Sequence, residues 1–350
     1  MHRAEWKQTA RRSREETARA AVGRWSDGNS RGLPEPFSHG LISEEHYKTL
    51  VTRVRMSIRT MAVGVISASL LGLLRAPVLA ASPGGRPEVV LNHLSVVLDA
   101  ATARDLATNG FLKDTFASVS QKSNVSNDGK RWTGTYLYGE RTYLEAYEAG
   151  PAQGEPGSSG IALGVERPGD VSRLVLPLAD AGGEATVVLR TVQGPSGGQV
   201  PWFYQLRVFY RTDPPSTTSR WVMEYQKDFL RTVEKGKDGI SRAQMAARFQ
   251  EKNRLLKDIA GATVALGDRE MERFLKELQV YGWAVRTEGQ THVAAGPGMT
   301  LTLIPSTPGV KGLTEVRFQL VKKGAFAQTL HFGPTSVLSV AQDGTAVWKL

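Results

Sequence analysis

Cysteine is missing from all 350 residues. Its absence excludes disulfides, thiolate metal sites and a cysteine nucleophile, and with them the modified cysteine of a lipoprotein. An exported chain without disulfides fits a bacterial envelope or secreted protein better than a disulfide-rich eukaryotic one. Long apolar runs are scarce as well. Met61–Leu74 is a stretch of 14 residues without a charge, short of the roughly 20 needed to cross ~30 Å of hydrocarbon. After Ala80 there is no H-E-x-x-H and no G-x-G-x-x-G. Zincin and dinucleotide chemistry therefore lack their usual signals. Gly296-Pro297-Gly298 is too short for a phosphate loop and lacks its Lys and Ser/Thr.

The short apolar run has a different meaning. Arg55 and Arg59 precede it, Arg75 and Pro77 end it, and Val78-Leu79-Ala80 offers the small-x-small step cut by signal peptidase. Residues 56–80 thus read as a signal peptide, which implies export to the periplasm or beyond and no stable membrane span after cleavage. A signal peptide lies at an N-terminus, so translation is expected to start at Met56, with residues 1–55 a mis-called extension or a disordered basic tail. An uncleaved signal anchor is the alternative.

The net charge of +10 is concentrated early. Residues 1–55 hold 11 Lys and Arg against 7 Asp and Glu, and Arg59 and Arg75 add two more positive charges, which leaves +4 over residues 81–350. No basic cluster follows Ala81, so the pattern gives no nucleic-acid footprint.

Val89–Leu98 (VVLNHLSVVL) is rich in β-branched residues and reads as a buried strand. Asp99 caps a helix expected over Ala100–Ser120, Asn127-Asp128-Gly129 marks a turn, and strands are expected at Arg131–Tyr138 and Thr142–Tyr147. A Pro/Gly/Ser linker, residues 150–160, leads to a second unit. It has a strand at Ile161–Val165, a helix or turn from Pro168 to Leu178, and strands at Glu184–Gln193, Trp202–Tyr210 and Trp221–Tyr225, with a loop at 213–219. Residues 230–258 are expected to link the halves, with a polar helix over Ser241–Asp258. The region 259–350 repeats the order, from a strand at Ile259–Leu266 and a helix at Asp268–Tyr281 ended by Gly282, through strands starting near His292, Thr300, Thr314 and Thr335.

Only His93, His292 and His331 follow Ala80. His292 and His331 read as turn-supporting or surface residues. His93 lies mid-strand, where a period of two would place it with Leu91, Ser95 and Val97. Glu145 lies mid-strand in YLEAYE and shares a face with Tyr143 and Tyr147. A carboxylate inside such a strand is costly to bury unless it is paired, hydrogen-bonded or metal-bound. Imidazole and carboxylate on neighbouring strands could make half of a divalent-metal site, or simply line a wet cavity. Trp132, Tyr136, Tyr138, Tyr143 and Tyr147 either pack as core or orient a ligand from its walls.

LNHLSVVLD followed by a helix and then GTYLYGERTYLEAYE resembles the vicinal oxygen chelate superfamily, which includes glyoxalase I, extradiol dioxygenases and bleomycin-resistance proteins. The resemblance covers Val89–Phe229 and rests on element order and two short strands. It implies an α+β fold of paired βαβββ modules curled into open mixed sheets, a glyoxalase-like pair over 89–229, and one further degenerate module over 259–350. It implies a divalent metal (Zn, Ni, Mn or Fe) held by His93 from the first strand, Glu145 from the last strand of module one, and Glu224 from WVMEY in module two. Glu148 or Tyr143 would then move protons in a lyase, isomerase or dioxygenase reaction. The first strand of module two, GIALG, offers no ligand, and Gly261 stands where a third module would carry one. A metal-free protein that binds or sequesters a small molecule is the alternative. Either reading implies a small-molecule partner and a monomer or homodimer.

Overall fold

The computed structural model describes residues 85–125, 131–193, 198–210, 216–233, 241–321 and 327–350. Residues 1–55, the signal-like segment 56–80, the turn at 127–129 and part of the loop at 213–219 lie outside the described residues.

The N-terminal half forms one eight-stranded mixed sheet. Its strands are β1 (Val90–Leu98), β2 (Ser118–Val125), β3 (Arg131–Tyr138), β4 (Tyr143–Glu148), β5 (Ser159–Val165), β6 (Glu184–Gln193), β7 (Gln199–Phe209) and β8 (Thr218–Tyr225). The order is β2-β3-β4-β1-β5-β8-β7-β6. Each half of that order is a βαβββ module in which the first strand runs parallel to the last, β1 to β4 and β5 to β8. The two modules meet through the antiparallel β1–β5 pair. The crossover helices α1 (Ala100–Thr108) and α2 (Asp170–Asp180) follow β1 and β5. The expected paired βαβββ architecture is therefore present.

Asp99 does cap α1, accepting from the backbone N–H groups of Ala101 at 2.9 Å and Thr102 at 3.0 Å. The helix stops at Thr108, however, and a single π-helical turn (Leu112–Phe116) carries the chain into β2. Asn109, in extended conformation, interrupts the helical ladder, and the polar segment SVSQKSNV is drawn into pairing with β3. Residues 118–120, expected to be helical, are strand.

The C-terminal half departs further from expectation. It contains β9 (Leu256–Leu266), α5 (Asp268–Val280), β10 (Ala284–Glu288), β11 (Thr291–Gly296), β12 (Met299–Pro305), β13 (Gly312–Leu320), β14 (Gln328–Phe332), β15 (Ser336–Val340) and β16 (Thr345–Lys349). These strands make a second eight-stranded sheet in the order β10-β11-β12-β9-β13-β16-β15-β14, which reproduces the first. Residues 259–350 are thus a pair of modules rather than one, and among the described residues the second of the pair has no helix. Met271, Phe274 and Leu278 of α5 face the core as their spacing predicts. Gly282 adopts φ +86°, the left-handed cap expected of it.

Between the sheets, α3 (Lys227–Val233) and α4 (Arg242–Ala247) replace the long helix expected over Ser241–Asp258. Ser241 and Gln244 form a capping box at the start of α4. Leu256 is already a β9 residue paired with Leu320. One apolar cluster runs through both sheets, from Leu91 and Leu94 to Phe274, Phe318 and Trp348.

Candidate functional site

The first sheet has two faces of different chemistry. Leu94, Val96, Leu144, Ala146, Ile161, Leu163 and Val222 belong to the apolar cluster. The opposite, inner face carries His93, Ser95, Tyr143, Glu145, Tyr147, Trp221, Met223 and Tyr225, all buried. Small residues make this close assembly possible. A Cβ on Gly134 would lie 2.8 Å from the Tyr147 ring, and one on Gly160 would lie 2.4 Å from Ser95 Oγ.

A bulge in β1 shapes the centre. The β1–β5 register shifts between Leu91 and His93, so Leu91 packs in the core with Leu94, while Asn92 and His93 both turn inward. His93 therefore does not share a face with Leu91, because a period of two fails across the extra residue. The bulge also gives His93 a partner. Its Nδ1 lies 2.9 Å from Asn92 Oδ1, which accepts from the Tyr225 hydroxyl at 3.3 Å as well. An amide oxygen at Nδ1 assigns the proton to that nitrogen and leaves Nε2 with its lone pair. Nε2 is buried and has no hydrogen-bond partner among the described residues.

Nε2 faces Glu145. The separation to Glu145 Oε2 is 3.8 Å, too long for a hydrogen bond. Burial holds the imidazole far below its usual range, to about 3, so it is neutral at physiological pH. The pair is thus not a salt bridge, despite its ion-pair spacing. Burial acts the other way on Glu145 and lifts its carboxyl to about 7, against the opposing pull of the Tyr147 hydroxyl and Lys122. Tyr147 donates to Oε2 at 2.7 Å and lies 3.2 Å from the Tyr136 hydroxyl. Tyr143 stacks on His93 with ring centroids 4.5 Å apart, and Trp221 meets His93 edge-on at 5.5 Å. Burial raises the Tyr143 hydroxyl well above its usual range, so it remains a donor.

The structure brings His93, Glu145 and Tyr143 together and places the other two candidates elsewhere. Glu148 is exposed and, one residue beyond Tyr147, points to the opposite side of β4. Glu224 is on the helix side of β8. Its Oε1 accepts from Gly169 N at 2.9 Å and its Oε2 from Val171 N at 3.0 Å, which caps α2 where Gly169 has no side chain to do so. The strand register explains the misplacement. His93 pairs with Tyr143 in module one and Ala162 with Trp221 in module two, so Ser95–Glu145 corresponds to Gly164–Met223. WVMEY matches YLEAY, not TYLEA, and a slip of one residue exchanges faces.

The donor set accordingly does not fit the superfamily chelate. Module one supplies His93 and Glu145, whereas the matching positions of module two are Ala162 and Met223. Among the described residues no three His, Asp or Glu side chains converge on one point. His292 and His331 lie on β11 and β14 near the surface; His292 Nδ1 is 2.9 Å from Thr287 Oγ1. In the second sheet, the space left by Gly261 is occupied by the Arg317 guanidinium, and a Cβ there would lie 2.6 Å from Arg317 Nη2.

Sequence reasoning missed two inner-face cations. Lys122, from β2, places its ammonium 4.4 Å from the Tyr136 ring centroid and 5.0 Å from that of Phe249. Arg248, just after α4, lies over Phe249 at 4.3 Å and Phe229 at 5.6 Å. Arg248 sits in a segment read from sequence as helix and Lys122 lies between the first expected helix and the turn at 127–129, so periodicity gave no sign that they turn inward.

The paired βαβββ modules have the architecture that the resemblance to the vicinal oxygen chelate superfamily implies. A hypothetical protein from Staphylococcus aureus is similar at 11% identity and a TM-score of 0.46, over 69% of this chain and 95% of that one. A Mn(II)-bound glyoxalase from Novosphingobium aromaticivorans is similar at 12% identity and a TM-score of 0.40, over 75% and 81%. The 2,3-dioxygenase LapB from Pseudomonas sp. KL28 is similar at 10% identity and a TM-score of 0.39, over 75% and 90%. No curated protein matches the sequence. The model of a family described as "Family of unknown function (DUF5829)" matches residues 91–350.

Proposed function

This chain belongs to the DUF5829 family, and we propose that its first sheet binds a small organic molecule at the inner face around His93 and Glu145, by hydrogen bonding and proton exchange rather than through a metal chelate. The observation that carries this reading is the buried, unpartnered Nε2 of His93 beside a carboxyl that titrates near neutrality. Leaving a buried acceptor unmade costs about 1–3 kcal/mol, and a ligand hydroxyl or amide would recover it. One oxygen at ~2.8 Å from each partner can reach both Nε2 and Oε2 across the 3.8 Å gap. Glu145, half ionised near pH 7, can then give or take a proton. The stacked Tyr143 and edge-on Trp221 supply apolar walls.

Metal content separates this from a metal-dependent lyase, isomerase or dioxygenase. The full chain and its Glu145→Ala variant are purified after growth with Zn, Ni, Mn and Fe together. We expect no stoichiometric metal in either. One equivalent in the parent, lost in the variant, would restore the metal enzyme as the better reading. Export completes the proposal, supported by the apolar run at 56–80 with its basic flank and cleavage step. Native protein beginning near Ala81 is expected on N-terminal sequencing. A peptide from within residues 4–31 of that material would overturn it.

A further inference from the structure

We propose that the molecule held at this inner face is a small anion, a planar or aromatic carboxylate whose charged end is anchored by Arg248 and Lys122 and whose body stacks along the rings toward His93. The inference rests on the reading of the inner face as a ligand site and adds the ligand's charge and shape.

Other partly or fully buried arginines of this chain are paired with carboxylates. Arg220 reaches Glu270 at 2.9 Å and Glu277 at 3.3 Å, Arg242 reaches Glu166 at 3.1 Å, and Arg317 reaches Glu315 at 2.8 Å. Arg248 stands apart from these. Among the described residues no carboxylate pairs with it, its Nε is buried without a hydrogen bond, and its contacts are the faces of Phe229 and Phe249. Lys122 stands at the same Phe249 ring, and its ammonium donates to the Tyr138 hydroxyl at 3.5 Å. Two cations brought to one ring repel each other. Burial lowers both groups, and the Arg248 charge adds to it at Lys122, which falls to about 8. Glu145 offers partial relief at a distance, but its own charge is suppressed by burial and its Oε2 is engaged by Tyr147. A like-charge pair enclosed without a counterion is unfavourable in isolation and becomes favourable when an anion joins it. A guanidinium fork suits a carboxylate, which it can grip through two N–H groups.

The rings give the ligand its shape. Phe249 stacks on Tyr138 at 4.1 Å, Tyr138 lies 5.3 Å from Tyr143, and Tyr143 stacks on His93 at 4.5 Å. This ladder runs from the cations to the unpartnered Nε2. A flat body with a carboxylate at one end and a hydrogen-bond donor at the other satisfies the cations, the ring faces and the orphan acceptor together.

The test compares acids with their neutral amides on the full chain. Benzoate and benzamide, and phenylacetate and phenylacetamide, are titrated by calorimetry with thermal shift in parallel. We expect each acid to bind at least tenfold more tightly than its amide. Arg248→Gln and Lys122→Gln should each erase that preference. The comparison within the unmodified protein stands even if one variant folds poorly. Equal affinity for acid and amide, lost in His93→Ala, would overturn the anion inference and leave the ligand site standing. No binding of any of the four probes would overturn both.

Discussion

At the scale of single residues, His93 and Glu145 are displaced in opposite directions by one cause, burial. Neutral His93 contributes stability that is present above the unfolded imidazole value of ~6.5 and lost as pH falls toward about 3. Glu145, raised to about 7, contributes stability that is present below its unfolded value of ~4.3 and lost as pH rises through 7. Between pH 7 and about 4.5 the two slopes oppose each other and largely cancel. Glu145→Gln removes one of them. The variant should match the parent near pH 4 and exceed its stability at pH 8 by on the order of 3 kcal/mol. It should also show the uncovered histidine slope, losing stability steadily as pH drops below 6.5. Urea unfolding at five pH values checks this, and parallel parent and variant profiles would show that Glu145 does not titrate where burial places it. A second expectation concerns the proton on His93. Nitrogen-15 chemical shifts should show Nδ1–H and a bare Nε2 unchanged from pH 8 to pH 5, since Asn92 Oδ1 accepts at Nδ1.

At the scale of elements, strands were legible wherever β-branched and aromatic residues cluster, and β1, β3, β4 and β6 begin and end within a residue or so of their expected bounds. Register was not legible. The bulge at Asn92 leaves no mark in VVLNHLSVVL, and WVMEY can be laid on TYLEA or YLEAY with similar plausibility. Only strand pairing decides between them, and it moves Glu224 from an inner face to a helix cap. Helix lengths failed for a related reason. SRAQMAARFQEKNRLLKD is rich in helix formers, yet Leu255 and Leu256 are buried in the common core and Leu256 pairs into β9, so tertiary contacts override local propensity. The capping role of Glu224 has a measurable consequence. Glu224→Ala leaves the amide groups of Gly169 and Val171 without acceptors and should destabilise the chain by about 2 kcal/mol. Ligand and metal behaviour at His93 should not change. A selective loss of binding with stability intact would return Glu224 to the site.

At the scale of the molecule, the repeated strand order was legible only as a recurring sequence of elements, and the fourth module escaped notice because it has no helix among its described residues to announce it. Among the contacts that join the two sheets, one bears directly on the site. Asp258, on β9, is buried and faces the turn between β3 and β4. Its Oδ1 accepts from Arg141 N at 2.9 Å, Thr142 N at 3.0 Å and Thr142 Oγ1 at 3.1 Å, and its Oδ2 from Arg141 Nε at 2.9 Å. Thr142 Oγ1 in turn accepts from Ile259 N at 2.7 Å. One carboxylate thus fixes the entry to β4, the strand that carries Tyr143 and Glu145, against the second sheet. Asp258→Ala would strand the backbone donors of Arg141 and Thr142, the latter buried, and the Thr142 hydroxyl, and should lower stability by about 3 kcal/mol. Arg141→Ala should cost less than about 1 kcal/mol, because that side chain is half exposed and solvent screens its charge. Since one apolar cluster spans both sheets, the Asp258 variant should still unfold in a single transition shifted to lower denaturant with an unchanged slope. Two separated transitions would mean that the sheets are independent folding units joined mainly by this carboxylate, and that the His93–Glu145 face owes little to the C-terminal half.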